Sequence, residues 1–89
     1  MRVEWRREKA IANERKHGIP FEEALTVLYD PLAATFDDPD HSRGERRFIT
    51  MGYSVRGRLL AVCHTEREGA VRLIMARKAI AHERKRHEG

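Results

Sequence analysis

Leu59-Leu60-Ala61-Val62-Cys63-His64-Thr65-Glu66-Arg67, a polar break at Glu68-Gly69, then Ala70-Val71-Arg72-Leu73-Ile74-Met75-Ala76-Arg77-Lys78 reads as an antiparallel strand pair. Both halves are apolar in the middle and carry histidine, threonine or cations near an end. Such a pair supplies half of a small core and also fixes cations where a phosphate can dock. Alternation puts Leu60, Val62, His64 and Glu66 on one face and Leu59, Ala61, Cys63, Thr65 and Arg67 on the other. Cys63 and His64 therefore point apart. That excludes a Cys-His nucleophilic pair built from these two and makes Cys63 a core residue. In the second strand, alternation groups Arg72, Ile74, Ala76 and Lys78 against Val71, Leu73, Met75 and Arg77, dividing Arg72 from Arg77.

Arg46 to Val55 is the preceding strand, joined by a tight turn at Arg56-Gly57; connections this short force antiparallel neighbours. Ala33 to Asp37 is a further short strand, and Asp38-Pro39-Asp40-His41-Ser42-Arg43-Gly44 is a loop rich in turn residues. Upstream, Phe21, Ala24, Leu25 and Leu28 follow the i, i+3, i+4, i+7 pattern of an amphipathic helix. Pro20 opens that helix and Asp30-Pro31 ends it. Arg6 to His17 favours another helix with Ile11 its only large apolar residue, stopped by Gly18. Arg2 to Trp5 is a strand candidate, with Trp5 expected to be a core or interface anchor. Ala79 to Glu88 favours a terminal helix whose first turn alone can pack. The order β-α-α-β-β-β-β-α predicts an α+β fold, with helices on one face of an antiparallel sheet and the other face open.

With 89 residues and 40% apolar content, the chain fills one core, so a single domain over 1–89 is expected. Its net charge of +4 is unevenly spread. Residues 1–20 and 46–89 are basic, whereas 21–45 carry one arginine against seven acidic residues. Basic ends around an acidic waist suit a polyanion on one surface; the alternative is opposite charges that pair on a solvated surface. One cysteine excludes an intrachain disulfide and favours a reducing, cytoplasmic setting, and no apolar run is long enough to span a membrane. Asp37, Asp38, Asp40 and His41 have metal-ligand chemistry, but a turn uses the same residues and no second ligand cluster stands out. Neither metal nor cofactor is expected.

If the polyanion is RNA, metal-free cleavage needs a base for the 2′-hydroxyl proton, cations for the charged phosphorane and an acid for the leaving oxygen. Arg47, Arg67, Arg72, Arg77 and Lys78 lie on or beside strands, and His64, His87 and Glu83 are the proton-transfer candidates. Read from spacing alone, the arginines serve equally well as flanking residues paired with the acidic segment.

The chain resembles the BrnT family of toxin ribonucleases along nearly its whole length. The matching segments include Asn13 with Arg15-Lys16-His17-Gly18, Phe21-Glu22-Glu23-Ala24, Asp30-Pro31-Leu32, Asp38-Pro39-Asp40-His41-Ser42 and Gly44-Glu45-Arg46-Arg47-Phe48-Ile49. Gly57-Arg58-Leu59-Leu60, His64-Thr65-Glu66-Arg67, Arg72-Leu73-Ile74, Ala76-Arg77-Lys78-Ala79 and Glu83 continue the match. The resemblance implies a RelE-like fold, with two N-terminal helices packed on one face of the sheet and a C-terminal helix. It also implies a metal-independent endoribonuclease that blocks translation. The partner it implies is a BrnA-like antitoxin, in a 2:2 complex that binds operator DNA through the antitoxin.

On this reading Arg67, Arg72 and Arg77 bind phosphate and stabilise the transition state, and His64 is the leading proton-transfer residue. Glu83 and His87 are further catalytic candidates, while Arg47, Thr65 and Lys78 contact RNA. The chain departs from the family pattern at Arg6, where a helix-capping Asp is usual, at Glu14, at Met75, and at His87, where Tyr is frequent. The competing reading is a non-catalytic nucleic-acid-binding or repressor-complex module.

Overall fold

The computed structural model describes residues 1–41 and 44–89, and among these the chain forms five strands and three α-helices. These are β1 (Arg2–Glu4), α1 (Arg7–His17), α2 (Phe21–Val27), β2 (Ala34–Asp37), β3 (Arg47–Tyr53), β4 (Leu59–Arg67), β5 (Ala70–Lys78) and α3 (Ala81–Glu88). The element order is the expected one. A 3-10 turn, Pro39–His41, occupies the start of the predicted loop; Ser42 and Arg43 of that loop lie outside the described residues. The sheet runs β1-β5-β4-β3-β2. Pairing is antiparallel from β2 through β5, and β1 adds to the β5 edge in parallel, a departure from the all-antiparallel sheet expected.

Period two holds along β4 and fails along β5. Cys63 pairs with Met75 but His64 pairs with Leu73, leaving Ile74 as the extra residue of a β-bulge. A bulge of one residue inverts the alternation beyond it. Arg72 pairs with Thr65 and Arg77 with Ala61, so both arginines lie on the Thr65 face together with Arg67. The predicted division of Arg72 from Arg77 is thereby corrected. Lys78, paired with Leu60, falls on the opposite face.

The Leu60 face carries the main core. Leu60, Val62, Leu73 and Ala76 pack against Ile19, Phe21, Ala24 and Val27, with Trp5 edge-on to Phe21 at 5.8 Å between ring centroids. Helix α2 lies so close to β3 that a Cβ on Gly52 would meet Val27 at 3.1 Å and Ala33 at 3.0 Å. Its end is pinned by Asp30, which accepts the Tyr53 N–H at 2.7 Å and the Leu32 N–H at 3.0 Å. Its start is pinned by buried Glu23, which takes a hydrogen bond from Ser54 at 2.6 Å and an ion pair from Arg58. Helix α1 follows a different logic, since Ile11 stays exposed and the buried residue is Asn13. Its amide bonds the β5 backbone at Ala76 and the Ile19 carbonyl, closing the β5 edge where β1 has ended.

The opposite face is mostly open. A small apolar patch of Met51, Leu59 and Ala61 is flanked by Ile49, Tyr53 and Ala79. Helix α3, none of whose residues is buried, leans over this patch through an Arg77–Glu83 ion pair and a Tyr53–Glu88 hydrogen bond.

Candidate functional site

On the open face, Arg47 of β3 and Arg72 of β5 both pair with Thr65 of β4, forming one row across three strands. Strand spacing separates the two arginine backbones by roughly 10 Å, with a small residue between them. Thr65 is buried, and its hydroxyl donates to the Arg46 carbonyl at 2.6 Å. It acts as the floor between two guanidinium groups; its proton is committed to that bond, so the RNA contact expected of it is left to its lone pairs. Arg67, two residues further along β4, projects from the same face.

The row opens into a pocket of about 130 Å³ at the Ile74 bulge, lined by Arg6, Lys9, Glu45, Arg47, Arg67 and Arg72. Arg72 is oriented by Glu4, which accepts from Nε at 3.0 Å and Nη2 at 2.7 Å. The Glu4 carboxyl is held below its ordinary value chiefly by that bond, with the charges of Arg72, Arg2 and Arg67 adding to it. Arg47 stands 3.8 Å from Glu45. Five cations thus face two carboxylates, an arrangement that attracts an anion and presents planar donors to phosphate oxygens. Sequence reading found Arg47, Arg67 and Arg72 but missed Arg6 and Lys9. The signal was their i, i+3 spacing, which puts both on one side of the first turn of α1.

The other predicted residues are placed elsewhere. His64 is on the helix-covered face, 7% exposed, stacked on Phe48 and bonded through Nε2 to the Thr50 hydroxyl at 2.7 Å. Burial lowers its pKa, favouring the neutral ring, and Nδ1 has no hydrogen-bond partner among the described residues. The expected partnership of His64 with the arginines is thus corrected by geometry: the sheet itself stands between them.

Arg77 lies on the open face, about 13 Å from Thr65 counted along β4. Glu83 grips it with bonds of 2.8 and 3.0 Å and accepts the Ile80 N–H at 2.9 Å. The Arg77 hydrogen bond, with the Ile80 N–H and nearby charge, pulls the Glu83 carboxyl down to about 2, so it stays ionised at neutral pH. Its evident work is to fix Arg77 and start α3.

His87 lies beside Tyr53, with ring centroids 5.9 Å apart. It lines a second cavity of about 430 Å³ under α3, whose walls are Leu32, Phe36, Ile49 and Met51 with His82, Glu83 and Arg86 at the rim. The open face thus joins a cationic pocket at one end to an apolar, histidine-rimmed groove at the other. Among the described residues no group of three or more His, Cys, Asp or Glu side chains could hold a metal ion. Nor, among the described residues, is any helix long and apolar enough to cross a membrane.

Three comparisons bear on this arrangement. The family model described as ribonuclease toxin, BrnT, of type II toxin-antitoxin system matches residues 5–83. The 1.1 Å crystal structure of the Brucella abortus ribonuclease toxin BrnT is similar at a TM-score of 0.71 and 23% identity, covering 91% of this chain and 99% of that one. No curated protein matches the chain by sequence.

Proposed function

The chain belongs to the BrnT family of ribonuclease toxins of type II toxin-antitoxin systems, and from that membership we propose a metal-independent endoribonuclease, one domain over 1–89, that cleaves RNA in the cytoplasm and so blocks translation. The carrying observation is the Arg47–Thr65–Arg72 row with Arg67, Arg6 and Lys9 around it. Guanidinium groups fixed on strands meet the rising charge of a phosphorane with little reorganisation. Arg72 is already held in place by Glu4.

RNA enters as a single strand along the open face. The scissile phosphate lies over Thr65, and Arg77, fixed by Glu83, takes a phosphate further along. The groove of Phe36, Ile49 and Met51 receives a base, with His82 and His87 within reach of its edges. Lys78, on the far face, guides the backbone only where RNA wraps the strand end. His64 supports β3 and β4 from beneath rather than touching substrate.

The partner is a BrnA-like antitoxin whose acidic groups cover this cationic face, in a 2:2 complex that binds operator DNA through the antitoxin. The test is expression with and without Arg67→Ala and Arg72→Ala, together with cleavage of purified RNA in EDTA. We expect growth arrest and EDTA-resistant cleavage from the parent, and loss of both in the variants. Parent protein that binds RNA but leaves it intact would favour the non-catalytic binding module.

A further inference from the structure

None of His64, Glu83 or His87 stands at the arginine row, yet cleavage there needs a proton acceptor. One imidazole, His41, is tethered to Asp38, the residue that continues the row onto the β2 side. Asp38 N–H donates to the Arg47 carbonyl at 2.9 Å, extending the β2–β3 ladder one residue past the Asp37–Phe48 pair. Alternation after Asp37 turns the Asp38 side chain to the Arg47 face. Asp38 thereby continues the Arg47–Thr65–Arg72 row by one position, on the β2 side of Arg47. The Pro39–His41 turn then folds His41 back onto Asp38, with Nδ1 at 2.9 Å from Oδ2 and 3.1 Å from Oδ1.

We propose that His41, oriented by Asp38, is the general base that takes the 2′-hydroxyl proton from RNA bound at the Arg47–Arg72 row. This rests on the ribonuclease reading given above. The Asp38 side chain is 10% exposed and that of His41 is 68% exposed. A covered carboxylate accepting from Nδ1–H fixes the tautomer and leaves the Nε2 lone pair pointing outward. The plain alternative is a turn contact at i, i+3, which contributes little when exposed. An exposed turn contact has no need of a carboxylate buried beside an arginine.

The step balances without a metal. Nε2 of His41 takes the 2′-hydroxyl proton as the 2′-oxygen attacks phosphorus. The P–O5′ bond breaks, the 5′-oxygen takes a proton from water, and His41 returns its proton to water. The products are a 2′,3′-cyclic phosphate and a 5′-hydroxyl.

The experiment measures single-turnover cleavage of a short RNA and affinity for its 2′-O-methyl analogue, for the parent, His41→Gln and His41→Gly. We expect His41→Gln to lose about 10²- to 10⁴-fold in cleavage rate with analogue affinity unchanged, and added imidazole to restore part of the His41→Gly rate. A His41→Gln protein that cleaves like the parent, or loses cleavage only as far as it loses affinity, overturns the assignment and leaves the ribonuclease reading standing. A parent that binds RNA without cleaving it overturns both.

Discussion

Asn13 and Ala76 exchange a reciprocal pair of hydrogen bonds, the side-chain amide donating to the Ala76 carbonyl at 2.9 Å and accepting its N–H at 3.0 Å. A helix side chain here does what a neighbouring strand does elsewhere in the sheet. Strand β1 stops at the Glu4–Arg72 pair, and the β5 edge beyond it would otherwise be unpaired. Asn13→Leu keeps similar bulk and strands three backbone groups, at Ala76 and Ile19. We expect a loss of about 2–4 kcal/mol in urea unfolding. A variant as stable as the parent would show that α1 does not close this edge.

The bulge makes an unusual forecast about deletions. Removing Ile74 leaves every other β5 residue on its present face, whereas removing Cys63 turns one half of β4 over. Deletion of Ile74 should lower Tm by roughly 5–10 °C, and deletion of Cys63 should prevent folding. Circular dichroism with thermal melts decides between them. If the two deletions behave alike, the pairing described here is wrong.

Glu23 gives the acid dependence of stability. Its carboxyl is held down to about 2 from an ordinary 4.5, first by the Arg58 hydrogen bond and then, against the opposing effect of burial, by Ser54 and the nearby charges. A depressed carboxyl stabilises the fold fully above its unfolded value, and that contribution disappears as pH falls from about 4.5 to about 2. Glu23→Gln should cost on the order of 2 kcal/mol at neutral pH, leaving Arg58 part-buried without its counter-charge. It should also flatten the acid limb of a Tm-versus-pH curve, leaving the parts due to Glu83, Glu4 and Asp30, whose carboxyls are also held down. An unchanged limb would assign the acid sensitivity to other groups.

Arg67 tests the phosphate reading without reference to chemistry. Each phosphate contact to a single strand contributes about 0.7 to the slope of log affinity against log salt. Arg67→Ala should weaken RNA binding and lower the slope by about that amount. Glu45→Gln should strengthen binding, because it removes one of the two carboxylates facing the cations. Equal salt slopes for parent and Arg67→Ala would place the RNA elsewhere.

Much of the fold was legible because the chemistry of β4 differs between its faces. Period two put Cys63 opposite His64 and grouped Thr65 with Arg67, as the register has it. Strand β5 was not legible in the same way. Its bulge depends on what lies against each edge, β1 on one stretch and Asn13 on the next, and period two read within the strand carries no trace of either. Sequence also gave the face of His64 but not which face the helices cover, so a buried ring passed for a reactive one. Arg6 and Lys9 join the cationic pocket only because α1 runs along the β5 edge. Asp38 and His41 read as turn chemistry, which they are, while the place of Asp38 beside Arg47 follows from a ladder that extends one residue past the strand.

Helix α3 rests on the sheet by a phenol and by charge rather than by buried apolar area. The Arg77–Glu83 pair is mostly covered, so salt screens it less than it would an exposed pair, whereas the Tyr53–Glu88 contact at the other end of the helix is exposed. The roof of the groove is therefore anchored firmly where α3 begins and only by an exposed contact where it ends.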